Sequence, residues 1–280
     1  MNRRPANALS LEMCAELSAV IQTIKDNNNT NAKPATTMVL ASSLPKIFSA
    51  GLDIGRELYQ PDADRLPKFW WQVQQLFLDL YGCSELTTVA ALGGHAPAAG
   101  CMLALSCDYR IMPSRTKSTT TATVPTIGLN ESHLGIVAPP WMAQQYMDVL
   151  GRRKGELALL EGTLFPPTAA LEHGLVDQLL VVDDGDDNNN NNGTTKDASA
   201  LLEEAALAKA RGFARIPAGA RAAVKQLTRR PLMHQLVKDR ERDIDIFCNF
   251  VTTEPVQHAI GKYLEALQNK ARATAASKEE

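Results

Sequence analysis

Glu85-Leu-Thr-Thr-Val-Ala-Ala-Leu92, running directly into Gly93-Gly-His-Ala-Pro-Ala-Ala-Gly-Cys-Met102, is the stretch that decides the fold. Its first eight residues form a short run of β-branched and small apolar side chains, which predicts a buried strand. Two glycines and Pro97 break that run, and from Ala98 to Cys107 the residues are small, apolar and compatible with a buried helix. Strand, small-residue turn and helix together make the unit of an α/β fold.

The same unit recurs on both sides. Upstream, Thr37-Met-Val-Leu-Ala41 reads as a strand that leads into Ile47-Phe-Ser-Ala-Gly-Leu-Asp-Ile54, a strand end and a glycine turn. Before it, Ser10 caps a helix with Met13, Leu17, Val20, Ile21 and Ile24 on one face, ended by the asparagine run from Asn27 to Asn31. After it, Pro61 to Leu80 is an amphipathic helix whose Phe69, Trp70, Val73, Leu76, Phe77 and Leu80 read as core packing. Downstream, Asp108 to Met112 is a third strand, and residues 113–126 form a Ser/Thr/Pro-rich surface insertion. Helices follow at Pro140 to Leu150, Lys154 to Leu160 and Pro167 to His173, then a strand from Leu175 to Val182.

Residues 183–196, with their Asp and Asn runs, read as a solvated low-complexity loop that marks a boundary. Beyond it Leu236, Ile244, Phe247, Phe250, Val251, Ile260, Tyr263, Leu264 and Leu267 recur at helical spacing. The expected organisation is therefore a core over 1–196 and an all-helical region over 197–280. That region's apolar residues lie on more than one face, so it is expected to pack on something else, and a homo-oligomer interface fits.

Composition excludes several classes. A net charge of −2 supplies no field for nucleic acid or an anionic membrane. No apolar run approaches the roughly 20 residues of a membrane span. The five cysteines lack Cys-x-x-Cys or Cys/His ligand spacing, which argues for reduced thiols and against a zinc site. Neither the Arg3-Arg4 start nor the terminal Ser-Lys-Glu-Glu reads as a targeting signal.

One carboxylate is out of place. Glu131 lies in Ile127-Gly-Leu-Asn-Glu-Ser-His-Leu-Gly-Ile-Val-Ala-Pro-Pro140 with no basic residue but His133 nearby. A carboxyl group in an apolar pocket has its pKa raised, which makes it a proton shuttle near neutral pH; a solvated loop residue or a helix start is the plainer alternative. Two turns, Ser49-Ala-Gly-Leu-Asp53 and Pro97-Ala-Ala-Gly-Cys101, contain glycines that let backbone N–H groups point into a cavity. Each turn taken alone is also explained by tight strand–helix packing.

These segments carry a resemblance. Phe48-Ser-Ala-Gly-Leu-Asp53, Pro97-Ala-Ala-Gly-Cys101, Ala104-Leu-Ser-Cys-Asp-Tyr-Arg110 and Gly174-Leu-Val-Asp177 are similar to successive motifs of the crotonase (enoyl-CoA hydratase/isomerase) superfamily. Within it, Leu129-Asn-Glu-Ser-His-Leu-Gly-Ile-Val-Ala-Pro139 and Phe165-Pro-Pro167 resemble the mitochondrial Δ3,Δ2-enoyl-CoA isomerase branch. The resemblance implies a crotonase-like spiral of ββα units with a helical C-terminal trimerisation region, a fatty acyl-CoA thioester as substrate, and no metal or other cofactor. It implies Leu52 and Ala99 as backbone donors of an oxyanion hole, Glu131 as the catalytic group, and Ala50, Asp53, Gly100, Met102 and Leu129 as substrate-binding positions.

Met102 stands where the hydratases carry a first catalytic glutamate, while Glu131 keeps the second, and a single carboxylate suits moving a proton better than adding water. The resemblance thus points to a 3-enoyl to 2-enoyl isomerase of unsaturated fatty acid β-oxidation, in the mitochondrial matrix or a peroxisome. A hydratase or another acyl-CoA enzyme is the alternative; a non-catalytic RNA-binding or scaffold member is the rival of a different class. The strand that precedes Pro5-Ala-Asn-Ala-Leu9 in the family is expected to be missing. Lys46 or Arg3 would meet CoA phosphates or remain solvated charges, and His95 and His133 are expected to be structural.

Overall fold

A computed structural model describes residues 1–30, 34–115, 124–182 and 198–276. Seven short strands form two parallel sheets. The first contains β1 (Thr37–Ala41), β3 (Thr87–Ala91), β5 (Tyr109–Arg115) and β7 (Gln178–Val182), in the order β1-β3-β5-β7. The second contains β2 (Lys46–Ile47), β4 (Gly94–Pro97) and β6 (Ile127–Gly128), in the order β2-β4-β6. Each of the first three passes of the chain gives one strand to each sheet before entering a helical segment, which is the expected ββα repeat, and β7 adds a fourth strand to the first sheet.

The first sheet is registered Val39↔Val89 and Val89↔Tyr109, with Ile111↔Gln178 at its far side. β3 is buried along its whole length, consistent with a parallel strand covered on both faces. On one side lie α1 (Leu11–Thr30), α2 (Arg65–Tyr81) and α3 (Ala99–Ser106). The aromatic stripe of α2 is wholly inside, with Phe69, Trp70 and Phe77 at most 1% exposed. On the other side α7 (Ala198–Ala214) lays Leu202, Ala206 and Ala210, spaced one turn apart, on Val89, Ala91 and Ile111.

Four boundaries differ from the sequence reading. The asparagines from Asn27 belong to α1, which continues to Thr30, and Val20 leaves the apolar face at 54% exposure. β4 is a separate strand inside what reads as a turn, defined only by pairing with β2 and β6. β5 extends through Pro113; its ladder to β3 ends at Ile111, so on that side the proline has no hydrogen bond to lose. β7 starts at Gln178, after buried Leu175 and Val176. Residues 116–123 of the Ser/Thr/Pro-rich segment and 183–197 of the low-complexity loop lie outside the described residues.

Three helices follow β6: α4 (Pro140–Leu150) packs on α3, α5 (Arg152–Glu161) packs on α4 and on the turn Glu131–Leu134, and α6 (Pro167–Glu172) packs against β5 and β7 of the first sheet. The C-terminal α8 (Ala218–Val251) is fastened by two carboxylates. Asp108 takes Lys225 at 2.9 Å and Arg229 at 2.6 Å, and Asp243 takes the Trp70 indole at 2.8 Å and Gln74 at 2.7 Å. α9 (Glu254–Ala276) returns over the second sheet's loops. There Gln257 bonds the Leu58 carbonyl and the Gln60 N–H, each at 2.8 Å. No helix among the described residues is long and apolar enough to cross a membrane.

Candidate active site

The first loop of the site follows β2. Ser49 Oγ donates to the Asn7 carbonyl at 2.8 Å and accepts the Gly51 N–H at 3.2 Å, which fixes the bend. Gly51 sits at φ +87°, a conformation that favours glycine. Leu9 then donates to the Gly51 carbonyl at 2.8 Å and accepts the Asp53 N–H at 2.9 Å. This parallel bridge uses the residues flanking Leu52, so the Leu52 N–H faces the other way.

The second loop follows β4. Ala98 adopts φ +51° and ψ −129°, a glycine-like conformation that L-residues adopt only at a cost of order 1–3 kcal/mol. Strain of this kind is held by surroundings: the Ala98 N–H donates to the Gly128 carbonyl at 2.8 Å, and its own carbonyl accepts Cys101 N–H at 2.8 Å. The next residue, Ala99, begins α3, and a helix has no internal acceptor for its first N–H groups. The positive end of the α3 dipole adds to their field.

The two loops touch. A β-carbon on Gly51 would stand 3.1 Å from the Ala99 nitrogen, and one on Gly100 would stand 2.4 Å from the Ser49 carbonyl oxygen. Glycine at both places is therefore what lets the Leu52 and Ala99 turns approach.

Glu131 arrives from β6, whose pairing with β4 brings it beside the second loop. It opens a 3-10 turn, Glu131–Leu134, closed by Gly135 at φ +70°. The residue is 9% exposed, and its Oε2 is buried without a hydrogen-bond partner. Burial pushes its carboxyl group from 4.5 up to about 7, only partly opposed by its own N–H. Above the turn, Ala259 of α9 lies 3.3 Å from a β-carbon built on Gly135, and Leu264 lies 3.7 Å from one on Gly55. α9 thus covers both the Glu131 turn and the helical turn Ile54–Leu58.

The remaining expected positions are distributed unevenly. Gly100 is buried in the first turn of α3, and Leu129 is buried between β6 and Glu131. Met102 is fully buried with its sulfur 3.8 Å from Ser106 Oγ. Ala50 is half-buried and its N–H is spent on the Ala6 carbonyl at 3.0 Å. Asp53 accepts Arg3 at 2.7 Å and the Arg56 N–H at 3.3 Å, so its carboxylate caps the helical turn and ties down Arg3. Lys46 is exposed at φ +69°. His133 Nε2 is 2.7 Å from the Glu161 carbonyl oxygen and His95 Nδ1 is 3.0 Å from Thr126 Oγ1, both turned to structural partners.

Two features lie beyond the sequence reading. Tyr146 of α4 is completely buried with its hydroxyl unpartnered; its spacing from Met142 on one face of α4 is the signal that marks it as internal. The backbone of Ala98 carries no such signal, because alanine does not announce a positive φ. Among the described residues no group of His, Cys, Asp and Glu side chains is arranged to hold a metal ion.

Residues 1–190 match the family model described as enoyl-CoA hydratase/isomerase. Rat mitochondrial enoyl-CoA delta isomerase 1 is 38% identical over 95% of this chain and 81% of its own length. The crystal structure of human mitochondrial delta3-delta2-enoyl-CoA isomerase superposes with a TM-score of 0.81 at 33% identity, covering 96% of this chain and 92% of that one. An enoyl-CoA hydratase from Bacillus halodurans shares the fold, with a TM-score of 0.71 at 20% identity. The chain belongs to the enoyl-CoA hydratase/isomerase family.

Proposed function

We propose that this protein is a Δ3,Δ2-enoyl-CoA isomerase in which Glu131 alone carries the proton. The observation that carries the reading is the pairing of a buried carboxyl near neutrality with two loop N–H groups brought together at Gly51 and Ala99. Ionised Glu131 takes a proton from the α carbon of a 3-enoyl thioester. The C3–C4 double bond then conjugates with the new enolate, and the negative charge of the dienolate rests on the thioester oxygen. Leu52 and Ala99 N–H groups receive that oxygen; losing one such donor costs on the order of 10²- to 10³-fold in rate. Protonated Glu131 returns the proton to the γ carbon, which leaves the double bond between C2 and C3 and restores the carboxylate.

A group titrating at about 7 serves both steps, since its two forms are close to equally available at neutral pH. Hydration needs a second acid or base to handle water, and fully buried Met102 supplies none. The substrate is the CoA thioester, and the chemistry calls on no cofactor. Substrate binding draws on Gly100 at the start of α3 and Leu129 beside Glu131, together with Ala50, Asp53 and Met102.

Exposed Val224, Leu227, Val237 and Ile246 on α8 support assembly into a homotrimer. The mitochondrial names of the relatives support a place in the matrix, in oxidation of unsaturated fatty acids. The test supplies purified protein with a 3-enoyl-CoA and, separately, a 2-enoyl-CoA in water. Formation of the conjugated product from the first, faster than hydration of the second, is expected; the reverse order favours the hydratase reading.

A further inference from the structure

Asn7 closes the first turn of the chain, is fully buried and adopts φ +49°. Asparagine is one of the few residues with a side chain that visit this region routinely. Every polar group it owns is engaged. Its N–H donates to the Arg3 carbonyl at 2.7 Å and its Oδ1 accepts the Arg3 N–H at 2.7 Å, which closes the turn. Its Nδ2 donates to Ser42 Oγ at 2.8 Å and to the Phe48 carbonyl at 3.0 Å, and its own carbonyl accepts Ser49 Oγ at 2.8 Å. The Phe48 oxygen can only accept and the Arg3 N–H can only donate, so the amide has a single orientation.

The turn by itself asks for less. An aspartate would also accept the Arg3 N–H and tolerate the positive φ, and a glycine would tolerate the φ alone. The two Nδ2 donors are what asparagine adds, and both leave the turn for the segment that enters the first loop of the site. There Phe48 is gripped from two sides, its carbonyl by Asn7 and its N–H by the His95 carbonyl of β4 at 2.8 Å. Ser49 follows. Its Oγ donates to Asn7 and accepts the Gly51 N–H at 3.2 Å, while its carbonyl oxygen stands 2.4 Å from where a β-carbon on Gly100 would be. Ser49 is thus held between the Asn7 turn and the start of α3. Two residues after Asn7, Leu9 takes the Gly51 carbonyl and the Asp53 N–H on either side of Leu52.

We infer that Asn7 is a positioning residue for the reaction: it holds Ser49, and through Ser49 the Gly51 turn, so that the Leu52 N–H keeps its aim at the thioester oxygen. Fully buried, it acts on the substrate only through this relay. A donor that is aimed at the developing charge lowers the barrier more than it tightens ground-state binding, so the relay is read in kcat and not in KM. The inference rests on Leu52 as a donor to that oxygen, and its test separates the relay from the isomerase reading.

The experiment compares wild type, Asn7→Gly and Ser49→Ala. The first keeps the backbone turn and its carbonyl but deletes the side chain; the second deletes the link alone. Each protein is saturated with acetoacetyl-CoA. When its α C–H bond breaks, the electron pair moves toward the thioester oxygen and the proton passes to the buffer, and the enolate absorbs in the near ultraviolet where the keto form does not. Turnover of a 3-enoyl-CoA and affinity for CoA alone are measured beside it. Both variants are expected to unfold cooperatively, below the wild-type Tm, and to bind CoA as wild type does. Their enolate band should weaken about tenfold, and kcat should fall on the order of 10- to 10²-fold with KM within about twofold of wild type. The double variant should fall no further than the lower single one, because a relay is broken once. An enolate band of wild-type intensity in either variant overturns the role of Asn7, whatever happens to Tm. A weakened band in a protein whose wild type does not turn over 3-enoyl-CoA supports the relay and counts instead against the isomerase reading.

Discussion

The Ala99 nitrogen lies 3.1 Å from where a β-carbon on Gly51 would stand, so residues 48 positions apart in sequence form one wall of the site. Gly51→Ala sets that contact against a φ of +87° that alanine resists. The variant should fold with a stability loss of about 1–2 kcal/mol, and its kcat should fall on the order of 10²-fold while KM changes little. Steady-state kinetics beside thermal unfolding checks this; a loss confined to KM would place the turn in substrate binding only.

Glu131 sets the acid limb of the rate. Its carboxyl titrates at about 7 and must be ionised to begin the reaction, so kcat/KM should fall tenfold per pH unit below about 7 and level off above it. A pH profile with a midpoint near 4.5 would show that burial does not govern the group in solution.

The same burial costs stability, with a definite sign. The folded value of about 7 lies above the unfolded 4.5, so between these values the folded state holds the proton more tightly. Stability conferred by the neutral form is therefore present below pH 4.5 and is lost as pH rises toward 7. At pH 8 Glu131→Gln should be more stable than wild type by up to about 3 kcal/mol, and at pH 4.5 the two should be nearly equal. Urea unfolding at the two pH values measures the difference.

Asp108 tests how α8 is held. Its carboxylate meets Lys225 and Arg229, whose side chains are 11% and 14% exposed. Asp108→Ala leaves both cations without their partner and should cost about 3 kcal/mol. KM should be unchanged in the variant that remains folded, because none of the three residues borders the loops of Leu52, Ala99 or Glu131.

Much of this architecture is legible in the amino-acid sequence. The strands at 37–41 and 87–91 and the helix over 65–81 announce themselves as apolar runs with period or composition of their own. Glu131 stands out because the residues around it are small and apolar. What stays hidden depends on partners distant in the chain. β2 and β6 are two residues each and exist only as pairings with β4. The cover that α9 lays over Gly55 and Gly135 joins segments more than 120 residues apart, and no local pattern encodes it. Tyr146 reads as one more apolar-face residue until its hydroxyl is seen to be unpartnered. Asp53 is legible as a site residue from its motif, but its bonds to Arg3, 50 positions away, and to the Arg56 N–H are not.

The most direct measurement is turnover of a 3-enoyl-CoA by Glu131→Gln, followed through the conjugated 2-enoyl thioester. Glutamine keeps the shape of the side chain and cannot accept the α proton. A fall on the order of 10³-fold or more in kcat, with thermal unfolding as cooperative as that of wild type, is the predicted result. Turnover within tenfold of wild type would contradict the single-carboxylate mechanism.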